Sequence, residues 1–403
     1  MRSGVSDHGR YSGREAGSLR VNGVTERWVL QVCHGYDGPF LDVARQYAVL
    51  FKETSIKVCT VFLTGADTQE ARRGAKSDEV HFLEATSRDL RGLKLGVIRD
   101  IKKIIGSREF GLVIAHRFKS IYAACLASKL PVIGVHHGFG DYIRRSRRFF
   151  ANHFRQRLLL LGVSNAVRNE IRSCLPTWPE SRIQTLYNRI DADALRGQLV
   201  TRAQARELLG ISQDAYVIGN AGRLHPDKDQ ATLIKGFALA LSQLPDSALL
   251  AIMGAGRLEG ELKKLSLELG VPSKVLFLGQ VPEGKRYFRA FDVFALTSDH
   301  EPFGMVLLEA MAARLPVVCS DCGGGAEVVL GYGDTFPLGD ANALAKLLAG
   351  IALNGSAQRT LDPHSLQSRF SDSAARARFS LIVKEAGFSK FDLADALTHS
   401  LSA

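Results

Sequence analysis

Short apolar runs alternate with amphipathic segments along the chain from Trp28 onward. The first half contains five runs of strand length: WVLQV, KVCTVFL, GLVIA, PVIGV and RLLLLGV. Residues 41–52 and 93–105 instead place apolar side chains at helical spacing. This alternation is typical of a parallel sheet with helices on both faces. We therefore predict an α/β domain over residues 28–190.

The same pattern starts again after a polar stretch over residues 188–214. Five further runs resemble strands: YVIGNAG, ALLAIMG, KVLFLG, DVFALTS and PVVCS. Because a chain of 403 residues is too long for a typical single core, we interpret this block as a second domain over residues 191–370. Residues 371–403 are predicted to form a helical segment that packs back toward the first domain. Residues 1–27 are predicted to be a disordered lead-in.

The composition adds a basic charge to this picture. Lysine and arginine number 52 against 41 acidic residues, and the formal net charge is +11. This balance favours an anionic partner: nucleic acid, a lipid surface or a phosphorylated substrate. The six cysteines fit a reducing compartment, and no apolar run is long enough to span a bilayer. We expect a cytoplasmic protein, or one held peripherally at the inner face of a membrane.

Several loops that follow predicted strands carry polar or glycine residues. Gly35 lies in CHGYDG, His116 in HRFKS, and His136 and His137 in HHGFGD. Ligands of open α/β sheets bind beyond the carboxyl ends of the strands. Two such domains facing each other would enclose a deep cleft lined by these loops.

The segment NAGRLHPDKDQATL leads from a predicted strand into a predicted helix. The helix would be capped by Asp227 or Asp229. Arg223 and Lys228 would then flank a helix N-terminus, which together with two cations makes a binding site for a diphosphate. The alternative is that both side chains are simply solvated in a polar turn.

The segment SDHEPFGMVLLEAMAARLPVV places Glu301 and Glu309 in an apolar stretch, with seven residues between them. A buried carboxylate costs several kcal/mol unless it is paired. Either Glu309 points to solvent from a helix over residues 303–313, or the two carboxylates bind a ligand. The first amides of that helix would face the same ligand: Phe303, Gly304 and Met305.

Five segments follow one another in an order that resembles the donor-binding domain of the family 4 glycosyltransferases of GT-B fold: AGRLHPDKD, AIMGAGRLEGELKKL, KVLFLGQV, SDHEPFGMVLLEAMAARLPVVCSDCGGGAEVV and FPLGDANALAKLLAG. The first half resembles the family more loosely, through PVIGVHHG, LLGVSNAV and TLYNRIDA. The resemblance implies two Rossmann-like domains whose parallel sheets face an interdomain cleft.

The resemblance also implies roles for individual residues. Glu301 would contact hydroxyls of the transferred sugar, and Glu309 would hold the ribose diol of the nucleotide. Arg223 and Lys228 match the basic pair that binds the diphosphate. The catalytic set is completed by His137, which matches a histidine near the reaction centre. The remaining donor-side residues are Gly35, His116 and the amides of Phe303, Gly304 and Met305.

Three features depart from the family pattern. The first loop reads HGYDGPF, so that Gly35 and Gly38 are spaced apart. The familiar PNG before the linker is YNRID, with Arg189 at the glycine position. The turn CSDCGGGAE carries Cys319 and Cys322 at positions that other small residues usually fill. A CxxC without a second pair or a nearby histidine is weak evidence for zinc, which favours a packing role.

The expected function is transfer of a hexose or heptose from a nucleotide diphosphate sugar to a hydroxyl of a glycan or glycolipid. Retention at the anomeric carbon and a role in lipopolysaccharide or surface polysaccharide assembly are implied by the resemblance alone. We expect no cofactor and no metal, because no Asp-x-Asp group lies by the cradle. The alternatives are a glycan synthase or phosphorylase relative, a non-catalytic nucleotide-sugar-binding relative, and a basic nucleic-acid-binding protein. The last lacks any nucleic-acid-binding signature.

The segment GDYIRRSRRFFANHFRQR carries six arginines and several aromatic residues. A helical projection groups Ile143, Phe150 and Phe154 on one flank. Another flank carries Arg144, Arg145, Arg148 and Arg155. The arginines predicted to contact an anionic membrane are Arg144, Arg145, Arg147 and Arg148. The alternative is an ordinary helix that packs its phenylalanines on the sheet.

Overall fold

A computed structural model of the chain describes residues 26–354 and 363–388. The predicted disordered lead-in therefore lies, apart from its last two residues, outside the described residues. Arg27 already belongs to the first strand. The predicted C-terminal helical segment is described only as far as residue 388.

The first domain is built on a parallel sheet that comprises seven strands among the described residues, in the order β3-β2-β1-β4-β5-β6-β7. The strands are β1 (Arg27–Cys33), β2 (Ile56–Phe62), β3 (Glu79–Phe82), β4 (Phe110–His116), β5 (Val132–His136), β6 (Leu158–Gly162) and β7 (Ile183–Thr185). The helices are α1 (Phe40–Ala48), α2 (Gln69–Ala75), α3 (Leu95–Gly106), α4 (Arg117–Ala127), α5 (Arg145–Phe154) and α6 (Asn165–Cys174).

The second domain repeats this design with a sheet of six described strands, in the order β10-β9-β8-β11-β12-β13. The strands are β8 (Tyr216–Ala221), β9 (Ala248–Met253), β10 (Val275–Gly279), β11 (Val293–Leu296), β12 (Val317–Ser320) and β13 (Asp334–Phe336). The helices are α7 (Ala192–Gln198), α8 (Arg202–Leu208), α9 (Gln230–Ala240), α10 (Glu259–Glu268), α11 (Met305–Ala312), α12 (Gly323–Val329) and α13 (Ala341–Asn354).

Both sheets pair their strands in parallel, which confirms the predicted α/β architecture of two parallel-sheet domains. The central strands are buried on both faces, so they read as continuous apolar runs; β6, LLLLG, is buried at every position. The polar stretch over residues 188–214 contains α7 and α8, which pack within the second domain. The carboxyl ends of the two sheets supply the loops of the cleft.

The last two described helices, α14 (Pro363–Phe370) and α15 (Asp372–Glu385), return the chain to the first domain. The ring of Phe379 lies 5.8 Å from that of Phe51. Arg378 donates to the side-chain oxygen of Gln184 at 2.8 Å, where β7 closes the first sheet. The C-terminal helix thus belongs physically to the first domain.

Arg189 joins the two places where the chain passes between the domains. Its side chain is fully buried, and Nε donates to Asp372 Oδ1 at 2.8 Å. Its backbone N–H donates to Gln46 at 3.0 Å, and the guanidinium carbon lies 5.7 Å from the centre of the Tyr47 ring. The arginine that replaces the usual glycine therefore ties the linker to the start of α15 and to α1.

Candidate active site

Glu301 lies in the loop between β11 and α11, and its carboxylate accepts two hydrogen bonds. Its side chain is buried, and Oε2 accepts from Lys228 Nζ at 2.7 Å and from Ser298 Oγ at 3.2 Å. Helix α11 begins at Met305, two residues later than predicted, because Gly304 caps it with a φ of 93°. The loop thus places Glu301 beside Lys228, which follows strand β8, and not on helix α11.

The glycine run at the start of α12 holds this loop in place. Gly324 N–H donates to the carbonyl oxygen of Glu301 at 2.8 Å. A Cβ on Gly323, whose φ is +54°, would lie 2.3 Å from the same oxygen. Any larger residue would push the Glu301 loop away. Sequence reasoning assigned no role to these glycines, although the run CGGGAE was a visible signal.

The predicted phosphate cradle follows β8. Asp229 caps α9, and its Oδ1 accepts from Thr232 N–H at 3.3 Å, so the alternative cap at Asp227 is wrong. Asp227 instead lies among cations: its Oδ2 is 3.5 Å from Arg223 Nη2 and 3.9 Å from Lys228 Nζ. Its Oδ1 makes a short hydrogen bond with His225. Burial alone would raise the pKa of Asp227, but the His225 hydrogen bond and the two cations lower it.

In this arrangement two carboxylates neutralise the cradle. Asp227 contacts both Arg223 and Lys228, and Glu301 holds the other side of Lys228. Arg223 is 71% exposed and free to turn toward a ligand. An incoming dianion would therefore exchange these internal partners for its own oxygens.

Glu309 lies one turn into α11 and is partly buried, so its side chain is not fully exposed to solvent. Burial raises its pKa to about 7; Lys285 opposes this shift, whereas Asp42 and Glu283 add to it. Asp42 belongs to α1 of the first domain. A carboxylate of the first domain therefore contributes to the surroundings of Glu309.

The two adjacent histidines after β5 have different surroundings. His136 is fully buried, with Nδ1 2.7 Å from Asp141 Oδ2 and Nε2 3.2 Å from the Tyr142 hydroxyl. His137 is partly exposed, and its Nε2 lies 3.1 Å from His116 Nδ1. Burial, aided by His136 and Arg117, lowers the pKa of His137 to about 3, so its ring is neutral near pH 7.

Comparison with known families identifies this chain. The profile described as "Glycosyl transferases group 1" matches residues 201–364, and that described as "Glycosyltransferase Family 4" matches residues 54–194. The chain belongs to the family 4 glycosyltransferases. Its two sheets and cleft are those of the GT-B fold.

Individual relatives match only part of this chain. An uncharacterised glycosyltransferase of Methanocaldococcus jannaschii is 34% identical over 174 residues, 42% of this chain and 44% of the relative. The lipopolysaccharide core biosynthesis glycosyltransferase LpsE of Rhizobium meliloti is 33% identical over 159 residues, 39% and 45% of the two chains. The matched region thus spans less than half the length of these curated relatives.

A solved structure of HepE from Anabaena, in complex with UDP and glucose, shares the fold of this glycosyltransferase. The TM-score is 0.71 with 19% identity, over 89% of this chain and 99% of the other. At that identity the likeness concerns the fold alone.

Two of the predicted donor-side residues, His116 and Gly35, need correction. His116 is only 3% exposed and lies behind His137, so it supports that ring instead of lining the cleft. Gly35 is buried, and a Cβ there would meet Thr64 Oγ1 at 2.6 Å, which explains the glycine without a ligand. The Phe303 ring packs 6.0 Å from the Tyr187 ring, which leaves the prediction for the Phe303 backbone amide unchanged.

The arginine-rich segment also differs from the prediction. Ile143 precedes α5 and is 67% exposed, whereas Phe150 and Phe154 pack inward, so the three do not share one face. Arg147 donates to Asp141 Oδ1 at 2.7 Å and lies 4.5 Å above the Phe118 ring. Arg147 therefore belongs to the fold and not to a free basic surface.

The cysteines show no metal arrangement at the CxxC motif. All six, which lie within the described ranges, are free thiols, and Cys322 donates to the Ser298 carbonyl at 2.8 Å. Among the described residues, three possible metal ligands meet in one place, the β2–β3 edge: Cys59, Glu79 and His81. Glu79 is already paired there with Arg108 at 2.7 Å.

An interdomain contact escaped sequence reasoning. Glu327 on α12 accepts from the backbone N–H groups of Asn165 and Ala166, at 2.8 and 2.7 Å, and from the Tyr187 hydroxyl at 3.1 Å. A carboxylate at the N-terminus of α6 also interacts favourably with the helix dipole. Glu327 thus fastens the second domain to the first beside the cleft.

Proposed function

We propose that this protein transfers a hexose or heptose from a nucleotide diphosphate sugar to a hydroxyl of a glycan or glycolipid, with retention at the anomeric carbon. The observation that carries the proposal is the joint arrangement of Lys228, Glu301 and Asp227 with Arg223 at the carboxyl end of β8. Two cations neutralised only by internal carboxylates are suited to a diphosphate that binds and leaves.

The two cations stabilise the leaving group. As the bond between the anomeric carbon and the diphosphate oxygen breaks, negative charge develops on that oxygen. Arg223 and Lys228 stabilise this charge, aided by the free amides at the start of α11. In this proposal Arg223, Lys228 and the helix amides do the work that a divalent ion would otherwise do at the diphosphate.

The carboxylates orient the donor. When the diphosphate takes over Lys228, Glu301 is freed to accept hydrogen bonds from hydroxyls of the transferred sugar. Glu309, deeper along α11, accepts from the ribose diol. His137, neutral near pH 7, offers an N–H or a lone pair beside the sugar without placing a positive charge there.

The acceptor hydroxyl then attacks from the face that the diphosphate leaves. No separate nucleophile is used, and the departing phosphate oxygen takes the proton of the acceptor. This front-side displacement gives retention. The LpsE relative and the HepE neighbour support a lipopolysaccharide or surface polysaccharide product and a nucleotide-sugar donor, respectively.

Incubation with UDP-, GDP- and ADP-sugars tests the proposal. We expect slow release of nucleoside diphosphate from one of them without acceptor, and loss of this release in Lys228→Ala. With a hydroxyl-bearing acceptor added, NMR of the glycoside product should show the anomeric configuration of the donor. Binding of a nucleotide sugar without any release would instead indicate a non-catalytic relative.

Glu301→Gln and Glu309→Gln separate the two carboxylate roles. We expect Glu301→Gln to lower kcat more than it raises KM, because sugar contacts tighten in the transition state. Glu309→Gln should mainly raise KM, since ribose contacts are the same in ground and transition states. Equal effects on KM alone at both positions would contradict this division.

A further inference from the structure

Two segments of the first domain expose large apolar side chains next to basic ones. Leu93 and Leu95, at the start of α3, are 66% and 69% exposed. Ile143 and Phe149, before and within α5, are 67% and 76% exposed. Single exposed apolar residues are ordinary, but four of them from two neighbouring segments are typical of an interaction surface.

A chain of ring contacts joins the two segments. Lys94 Nζ lies 4.6 Å above the Tyr122 ring, between Leu93 and Leu95 in sequence. The Tyr122 ring lies 5.0 Å from that of Phe150, which neighbours Phe149. Tyr122 is therefore held between the start of α3 and the inward face of α5, which brings the two segments that carry the four apolar residues next to each other.

The outward face of α5 is basic. Arg145, Arg148 and Phe149 are three or four residues apart and share one side of the helix, while Phe150 and Ala151 face the core. Arg144 and Arg145 are exposed, and Arg148 is partly so. In the segment over residues 140–157, Asp141 is the single acidic residue, and Arg147 already neutralises it.

We propose that this patch, comprising Leu93, Leu95, Ile143 and Phe149 with Lys94, Arg144, Arg145 and Arg148, docks on a bilayer containing anionic phospholipids. The arginines lie where phosphate headgroups would meet them, and the apolar side chains are long enough to enter the boundary between headgroups and acyl chains. A purely ionic partner such as nucleic acid would use the arginines but would leave the apolar residues exposed to water.

The patch lies one loop away from the cleft. The loop that leads from His137 to α5 carries Phe139, whose ring lies 6.4 Å from that of His300 in the second-domain loop next to Glu301. Docking goes beyond the transfer reaction and does not depend on it.

Co-sedimentation with vesicles tests the docking without any sugar donor. The vesicles are phosphatidylcholine alone or with about 30% phosphatidylglycerol, at about 0.1 M and about 0.5 M salt. We expect the wild type to bind the anionic vesicles and to lose most of this binding at the higher salt. Each exposed arginine near an anionic surface contributes about fivefold, so Arg144→Gln/Arg145→Gln/Arg148→Gln should weaken binding roughly 100-fold.

The apolar contribution needs its own variant and control. Ile143→Ser/Phe149→Ser should weaken binding at least about tenfold, because both side chains lose burial in the bilayer. The matched control is Leu208→Ser/Leu267→Ser, two equally exposed leucines of the second domain, which should bind like the wild type. All these positions are at the surface, so thermal unfolding should be unchanged.

Three results would overturn the docking. In the first, wild type and both patch variants sediment equally. In the second, the apolar variant binds like the wild type and only the arginine variant is weakened, which favours a purely ionic partner. In the third, the control loses as much binding as the patch variants.

Discussion

Lys228 Nζ and Glu301 Oε2 lie 2.7 Å apart, although the two residues are 73 positions apart in sequence, with β9, β10 and β11 between them. Both side chains are largely buried, at 17% and 10% exposure. A pair this shielded is held strongly in the free protein. In the proposed function the diphosphate takes Glu301's place on Lys228, so that occupation of the cradle is coupled to release of Glu301.

We expect Lys228→Ala to lower turnover about 10- to 1000-fold, as expected for loss of a charge-assisted contact worth about 1.5 to 4 kcal/mol in the transition state. Arg223→Ala should fall in the same range. The fold should persist in both, and steady-state kinetics at saturating donor are the measurement. Near-normal turnover in both variants would refute the cradle assignment.

Glu309 gives a prediction about pH. Its pKa in the folded protein is about 7, against an ordinary 4.5, so between these values the folded state binds the proton more tightly than the unfolded chain. Stability from this group is therefore lost as pH rises through that window. As the pH rises from about 5 to about 8, the unfolding midpoint of Glu309→Gln should therefore rise relative to that of the wild type.

The control for that comparison is Glu207→Gln, at an exposed position of α8. The difference between its unfolding midpoint and that of the wild type should be the same at every pH. If the Glu309→Gln curve also ran parallel, the carboxylate would titrate normally and the description of its surroundings would be wrong.

Glu327→Gln tests the interdomain contact. The substitution keeps the side-chain shape but removes the charge that two backbone N–H groups and Tyr187 share. We expect the free energy of unfolding in urea to fall by about 1 to 3 kcal/mol and the donor KM to rise, because the domains separate more readily. A stability loss with unchanged KM would mean that the contact is only structural.

Asp372→Asn tests the contact between linker and C-terminal helix. It leaves the buried Arg189 guanidinium without its anion, and its two terminal nitrogens already have no hydrogen-bond partner among the described residues. The expected loss of unfolding free energy is about 3 to 5 kcal/mol. Arg189→Met/Asp372→Asn should lose less than the sum of the single variants. Additive losses would show that the two residues do not interact.

The sequence predicted the central strands well and the sheet edges poorly. The ten strands predicted from apolar runs are found, whereas β3, β7 and β13 were missed. All three lie at an end of their sheet and span three or four residues. Two of them, β3 and β13, are only partly buried. Such strands lack the continuous apolar run that burial on both faces produces.

Local motifs carried most of the predicted site, and contacts distant in sequence were lost. Asp229, Lys228 and Glu301 stand in short segments whose turn and helix signals are readable. Glu327 and Arg189 act across 160 or more residues, so no local pattern reports their partners. Ile143 was misplaced because the projection assumed a helix that begins only at Arg145.

The most direct test of the account is calorimetric titration of UDP, GDP and ADP into the wild type and Lys228→Ala, in EDTA. The account predicts that one nucleotide binds the wild type without a divalent ion and binds Lys228→Ala at least about tenfold more weakly, as removal of one charge-assisted contact requires. Equal affinity in the two proteins, or binding that appears only when manganese is added, would contradict it.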